Sequence, residues 1–468
     1  MTSPDVVEAE GGENTALPTD EAVHAVIDAG DVQTVFQPIV HLDSRSVVGF
    51  EALSRGPDGS GLEEPMRLLA AANRVGRLGE LDWLCRTHAV ELAARADLPP
   101  SLSWFINVEA AGVATPCPDH LRGTWALAHS QLRVVLEITD RDVETNVTRL
   151  LRTCQQARVN TWGVAVDDIN ASTTSLALLP LLRPDVIKFD MSHLHAIGGD
   201  ELSRTVAAIG TYAEHHDAVI LAKNIESDEQ EMLARAIGAR YGQGYLYGKP
   251  GPLPPSLTPP LHVIPLRQNP EQHEEGDLWR ILTDSRPVSR DARAVVAHIE
   301  DVLEQLVLHS HDPALVLTCV DKAHFAKPET QRRYEGTAAS SALTIVAGEG
   351  ITPRTEPGFR AISLQADSAL VRQRVAIILT AHDAAAIAVH GTTHRGAGDP
   401  VEYVYTRNRE LVITAARAMI HAMEPETDLE LFGNDSDDQA PVESPPAVQQ
   451  RDRGRRGLLR LLGRDHED

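Results

Sequence analysis

The sequence predicts an α/β protein: a closed barrel of strands ringed by helices, followed by a second, smaller α/β domain. Two observations predict the barrel. Short β-branched runs alternate with helical periods from about residue 35 to 238, the pattern of βα units around a parallel sheet buried on both faces. Their number and even spacing favour closure over an open sheet. The second domain follows from a proline-rich stretch at 250–270 and renewed strand and helix patterns over 276–424.

The elements follow in chain order. A short helix is expected over 19–29. Two strands then flank a short turn, the first over 35–42 and the second over 46–52, rich in Val, Ile and Phe. From 63 to 96 the apolar period is helical. Strands are expected at 102–108, 133–139, 162–169, 185–189 and 218–222, with helices at 142–158, 175–182, 201–216 and 228–238. The proline-rich stretch reads as an extended, semi-rigid spacer. Beyond it come a long helix at 291–308, a strand at 314–319 and a helix at 330–341. Two or three strands are expected between 343 and 389, then a strand at 402–406 and a helix at 409–423. These patterns divide the chain into an acidic disordered N-terminus (1–28), the barrel (29–255), a linker (256–275), the second domain (276–424), an acidic disordered linker (425–450) and a basic Arg/Leu tail (451–468).

Composition narrows the function classes. The formal net charge is -24, which repels nucleic acid and anionic lipid globally, so any basic patch is local. No run approaches the roughly 18–20 apolar residues of a membrane span. The four cysteines are scattered, with neither metal-ligand spacing nor a disulfide framework, which points to a reducing cytoplasm.

The chemistry gathers at the strand ends. Glu51 closes the second strand, with Arg55 four residues later. Asn107 ends the next strand and Glu137 lies in the one after it. Asp167 and Asp168 close the fourth, Lys188 lies in the fifth, and Gln243 follows the last helix. In a (β/α)8 barrel these C-terminal ends converge on one face. Converging carboxylates repel one another unless a cation relieves them, and oxygen ligands select Mg²⁺, Mn²⁺ or Ca²⁺ over softer metals.

These residues stand in a set of motifs: FQPIV at 36–40, EALSR at 51–55, NV at Asn107, EIT at Glu137, DD at Asp167, IKFD at Lys188 and QGY at Gln243. In that order and over about residues 30–255, the chain resembles the EAL domain, the cyclic-di-GMP phosphodiesterase family of bacteria. The resemblance implies a modified TIM barrel of the EAL type and a ligand of two guanosines joined by two phosphodiesters. It implies a first metal, Mg²⁺ or Mn²⁺, on Glu51, Asn107, Glu137 and Asp167. It implies that Asp168 helps hold a second metal, that Lys188 positions the attacking water or phosphate region, and that Gln243 supports the site. Gln37 and Arg55 are implied ligand contacts, Arg55 to a phosphate. Two metals would activate water and stabilise both oxygens of an in-line displacement.

The chain departs from the family pattern in three places. Where the family has Ala-Glu-Gly-Val/Ile-Glu, this chain has Ala222-Lys223-Asn224-Ile225-Glu226, so the implied general base is Lys223. An ammonium neither ligates a metal nor accepts a proton. It would pair with Asp168 or Glu226, or attract a ligand phosphate. The loop after the aspartate pair lacks the family's two glycines and two aromatics, and in the family that loop couples metal binding to dimerisation. The glutamate three residues after Glu137 is Asp140. The expected outcome is cyclic-di-GMP binding without efficient hydrolysis. The alternatives are an active metal-dependent phosphodiesterase giving the linear dinucleotide, and a nucleotide-independent protein-interaction scaffold.

Residues 276–424 resemble a DICT domain, through the strand at 314–319, Asp321-Lys322-Ala323-His324-Phe325, Arg332-Arg333-Tyr334 and the final strand and helix. This implies sensing and leaves the signal unnamed. A turn-capping role suits Asp321 and His324 better than a catalytic one. The tail, with Leu458, Leu459, Leu461 and Leu462 among arginines, suits weak contact with an anionic membrane or docking on a partner. The expected protein is a cytoplasmic, bacterial signalling protein, peripheral to the membrane where the tail makes that contact. Its partners are cyclic-di-GMP, an unidentified protein and, as an open case, a second copy of the chain. Nucleic acid is excluded.

Overall fold

The computed structural model describes residues 19–109, 115–139, 147–167, 173–192, 199–267, 277–310, 314–320, 325–380, 383–390 and 400–423. Asp140, Asp168 with the rest of its loop, the Asp321 and His324 pair, residues 1–18, the acidic linker at 425–450 and the basic tail lie outside the described residues; the boundary of the disordered N-terminus at residue 28 is corrected, because residues 20–28 belong to a helix.

The opening strands form an antiparallel hairpin, β1 (Gln33–His41) with β2 (Val47–Arg55). Then follow β3 (Ser103–Val108), β4 (Arg133–Thr139), β5 (Gly163–Asp167), β6 (Val186–Asp190), β7 (Val219–Lys223) and β8 (Tyr241–Gln243). The eight close in sequence order. Only β1 runs against its neighbours, β2 on one side and β8 on the other; a five-residue connection from His41 to Val47 leaves no room for the crossover that parallel strands need. This hairpin is what modifies the barrel. Strand β8, which has only three residues, was not expected from the sequence.

Among the described residues, seven helices ring or cap the barrel: α1 (Asp20–Ala29), α2 (Pro65–Arg74), α3 (Leu78–Arg95), α4 (Arg122–Gln131), α5 (Val147–Val159), α6 (Thr173–Leu182) and α7 (Gly199–His215), and α8 (Asp228–Ala236) joins β7 to β8. Thr19 caps α1, its hydroxyl accepting from Ala22 N at 3.2 Å. The single helical period read over 63–96 is two helices. Gly76 sits at φ +71° in the left-handed region that ends α2. The α4 helix was missed in the sequence, where short turns break its period. Its Trp125 is buried against Trp83 and Trp162.

The proline-rich stretch corrects the expectation of a spacer. From 251 to 267 it lies as a strap under the barrel. Ile264 has no exposed surface and joins Val48, Phe105, Val135, Val186 and Tyr241 in the barrel's interior core, with Leu266 packed beside it. Polar bonds fasten it: Arg133 donates to the Ile264 carbonyl at 2.8 Å, Tyr241 OH to the Val263 carbonyl at 3.0 Å, and Arg267 N to Asp185 at 3.0 Å. Proline removes donors and fixes φ, but it does not stop the apolar residues between prolines from plugging an open barrel end.

The second region is an eight-stranded mixed sheet. Its elements are α9 (Leu278–Ser285), β9 (Ser289–Ala292), α10 (Arg293–His309), β10 (Leu315–Cys319), α11 (Pro328–Ser340), β11 (Leu343–Glu349), β12 (Arg354–Glu356), β13 (Phe359–Leu364), β14 (Gln373–Leu379), β15 (Ala384–His390), β16 (Pro400–Thr406) and α12 (Arg409–Met423). The order is β12-β13-β11-β10-β14-β15-β16-β9. Five strands stand between 343 and 390 where two or three were expected, and α9 and β9 were missed. Successive side chains on β10 face opposite ways. Leu315, Leu317 and Cys319 share a core with α9 and α12, whereas Val316 shares one with α10. Helix α12 also packs on α5 and α6 of the barrel, and Arg183 pairs with Glu410 at 3.2 Å. One apolar core therefore runs from the barrel's helical layer into the sheet. Among the described residues, no helix is long and apolar enough to cross a membrane.

Candidate active site at the barrel mouth

Strand periodicity builds the site. Phe105, Val135, Ala165, Val186, Leu221 and Tyr241 point into the barrel's interior core. Two residues later on the same strands stand Asn107, Glu137, Asp167, Lys188, Lys223 and Gln243. A period of two keeps each on the inward face, one step nearer the C-terminal mouth. The β1–β2 register sets Gln37 opposite Glu51, and the β1–β8 register sets Ile39 opposite Gln243. That brings these two glutamines together, with Gln243 Nε2 donating to Gln37 Oε1 at 3.1 Å.

Glu51 is the hub. Its Oε2 accepts from Lys188 Nζ at 2.9 Å and from Gln243 Nε2 at 2.6 Å, and its Oε1 accepts from Asn107 Nδ2 at 3.3 Å. Lys188 has no exposed surface. It also donates to Glu137 and lies 3.8 Å from Asp167, so three carboxylates gather around one ammonium. Lys223 holds Asp167 from the other side, its Nζ 2.8 Å from Oδ1 and 2.9 Å from Oδ2. The sequence suggested Asp168 or Glu226 as its partner. The pairing found is with Asp167, and Asp168 lies outside the described residues.

The charges act on one another. Burial, reinforced by Glu51, pushes the Glu137 carboxyl well above the ordinary range despite Lys188. Burial also pushes Asp167 up, but Lys188 and Lys223 outweigh it and hold that carboxyl at about 2. Lys188 is pulled the other way by burial, yet Asp167, Glu137 and Glu51 raise it well above an ordinary lysine. Three carboxylates and two ammoniums leave one negative charge when all are ionised, and the raised Glu137 carboxyl brings the cluster toward neutrality.

The donor atoms are of the type a hard divalent cation takes. Glu51, Asn107, Glu137 and Asp167 offer oxygen, and Glu137 Oε2 and Gln243 Oε1 are buried acceptors without a hydrogen-bond partner. Among the described residues, no three acidic, histidine or cysteine side chains stand at metal-binding spacing; Lys188 is the counter-charge about which the carboxylates gather. A second cation next to Asp167 would meet the Lys223 ammonium.

Arg55 stands at the rim, half-buried at the end of β2. Its guanidinium donates to the Ser54 carbonyl at 2.9 Å, and burial lowers its pKa. It takes no part in the carboxylate network and is open to an anion at the mouth. Gln37 Nε2 donates to the Gly248 carbonyl at 3.2 Å.

Sequence reasoning missed two residues. Asp190, the last residue of IKFD, accepts from Ser192 N at 2.8 Å, Ser192 Oγ at 2.6 Å and Asn224 Nδ2 at 2.9 Å. Asn224 sits at φ +61°, where Asn is tolerated better than most residues other than glycine. The replacement of the family's glycine thus keeps the backbone turn that aims Lys223 into the site. Nearby, Gly244 passes so close to Ile225 that a Cβ would lie 2.0 Å from its carbonyl oxygen. An Asn directly after an inward strand residue was the available signal.

A buried oxygen-donor cluster beneath a half-buried arginine makes a barrel mouth with the chemistry to meet an anionic ligand. The comparisons place it more narrowly. Residues 20–250 match the EAL domain family, and this part of the chain is an EAL domain. It is 36% identical over 229 residues to "Probable cyclic di-GMP phosphodiesterase PdeD" of Escherichia coli, covering 46% of this chain and 41% of that protein. It is 26% identical over 260 residues to the uncharacterized protein Rv1357c of Mycobacterium tuberculosis, covering 51% of this chain and 82% of that one. Among solved structures, Klebsiella pneumoniae BlrP1 in a calcium and cyclic-di-GMP complex is 27% identical, covers 47% of this chain and 56% of its own, and has a TM-score of 0.41. The chain spans less than half the length of the phosphodiesterase relatives PdeD, PdeI and PdeB.

Proposed function

We propose that the protein is a cyclic-di-GMP signalling protein whose barrel binds the dinucleotide without efficient hydrolysis, coupled to a DICT-like sensory domain formed by the second sheet. The observation that carries this reading is Lys223 Nζ at 2.8–2.9 Å from both oxygens of Asp167. An opposite charge this close favours the protonated lysine, and a protonated lysine has no lone pair for a metal or for the proton of an attacking water. Replacing a positioned general base removes about 10²–10⁴-fold in rate. Binding survives because its groups are separate. Arg55 meets a phosphate at the rim, Gln37 and Gln243 present amides, and Glu51 keeps Lys188 in place. When bound, a single Mg²⁺ or Mn²⁺ on Glu51, Asn107, Glu137 and Asp167 would supply charge neutralisation for the ligand's phosphates.

Calorimetry with cyclic-di-GMP, followed by chromatography of the same sample, tests the proposal. The expected result is saturable binding with the cyclic dinucleotide recovered intact. No heat and no thermal shift at high ligand concentration would overturn it. A second reading, a slow metal-dependent phosphodiesterase, draws on the retained oxygen-donor set. It requires linear dinucleotide that forms with Mn²⁺ and disappears in Glu51→Ala.

A further inference from the structure

The second sheet contains a cavity of about 60 Å³ on the face of β10 and β14 turned away from the barrel, under α10 and α11. That volume has room for about four to six non-hydrogen atoms. Its walls have two characters. Leu303 and Val307 of α10, Val316 of β10 and Ile378 of β14 make one side apolar. The other side carries Thr318 and Tyr334, whose hydroxyls lie 3.5 Å apart, and the guanidinium of Arg374.

Arg374 reaches this cavity from β14 and pairs through Nη2 with Glu300 on α10. Burial pushes the Glu300 carboxyl up even beside Arg374 and Arg333. A guanidinium has five donors in a planar fork, so a pairing through one nitrogen leaves the rest of the fork for a second carboxylate. Arg333, also at the wall, pairs with Asp301 at 3.1 Å and with Glu304. The acidic residues at the wall thus already have arginine partners, and the uncommitted hydrogen-bonding capacity belongs to a donor.

We propose that this cavity binds a small monocarboxylate with a short aliphatic body, its carboxylate on Arg374 and the Tyr334 hydroxyl, since the Thr318 hydroxyl already donates to the Val375 carbonyl at 3.0 Å, and its chain among Leu303, Val307, Val316 and Ile378. Its small accessible volume favours a short acid over a nucleotide. The apolar half disfavours phosphate and sulfate, which would strand hydrated oxygens against leucine and valine. The site is independent of the barrel mouth and of the reading given for it.

Saturation-transfer NMR on the full chain tests this, with sodium butyrate as the probe and butylamine and 1-butanol as charge controls. Butyrate methyl and methylene protons are expected to receive saturation, and the two controls are not. Ala376→Leu, which fills the cavity from β14, abolishes the signal. Arg374→Gln weakens binding by about tenfold or more. No transfer to butyrate at about 10 mM overturns the proposal. So does transfer that persists in Ala376→Leu, an unchanged Arg374→Gln, or controls that bind as well as butyrate. Should either variant fail to fold by circular dichroism, selectivity among the three probes on the wild-type chain decides.

Discussion

Lys188 shows how one side chain holds a site together. Three carboxylates face it with no exposed surface on the lysine. Lys188→Met leaves those carboxylates facing one another, and breaking a buried ion pair this way costs about 3–5 kcal/mol. The melting temperature should fall by many degrees, and Mn²⁺ should restore part of it by supplying the lost charge. A Lys188→Met melt that ignores Mn²⁺ would remove the cation site from the account. Asn224 offers a second test with a pH signature. Burial opposes ionisation of Asp190, but its bonds from Ser192 and Asn224 hold its pKa below the usual aspartate value. A depressed folded pKa contributes stability above the unfolded value of about 3.9, and that stability is lost as pH falls through the folded value. Asn224→Gly keeps the positive φ and removes one bond, so it should lower stability by about 1.5–3 kcal/mol at pH 7 and by progressively less below about pH 4. A difference constant with pH would contradict this assignment. The position of Lys223 was legible in the sequence because register alone sets it. Its partner was not, because Asp167 and Asp168 adjoin and only the strand's inward face distinguishes them.

The strap is the element whose role the sequence concealed. Proline content argued for a spacer, while two apolar residues inside it decided the packing. Ile264→Ala should cost about 2–4 kcal/mol, the range for an aliphatic truncation in a core. Leu261→Ala, at a position 89% exposed, should change stability by less than about 0.5 kcal/mol. Urea titration of the two variants checks both, and equal effects would mean that the strap is a spacer after all. Elsewhere, elements with long, uninterrupted periods were legible. The final helix, Arg409–Met423, has the bounds read from its pattern. Elements whose period is brief were not. Strand β8 has three residues and exists because β1 and β7 offer it partners on both sides. The α2–α3 break follows from one glycine inside a continuous apolar stripe.

The barrel class and its mouth were readable from strand ends because every inward residue there obeys the same period of two. The second sheet's order was not readable, since β9 pairs with β16 more than a hundred residues later and no local pattern encodes such pairing. Its consequence is energetic. Helix α12 buries one side against β14 and β15 and another against α5 and α6, so the barrel and sheet share a core. They should unfold together, in a single calorimetric transition; two separated transitions would show that the shared core contributes little.

The central claim is that the mouth binds but does not turn over its ligand. Equilibrium dialysis of labelled cyclic-di-GMP against the wild-type protein with Mn²⁺, with chromatography of both chambers, tests it most directly. The account predicts excess label in the protein chamber, all of it cyclic, and linear product only when Lys223→Glu replaces the wild type. Linear dinucleotide accumulating with the wild-type protein, and abolished by Glu51→Ala, would contradict it.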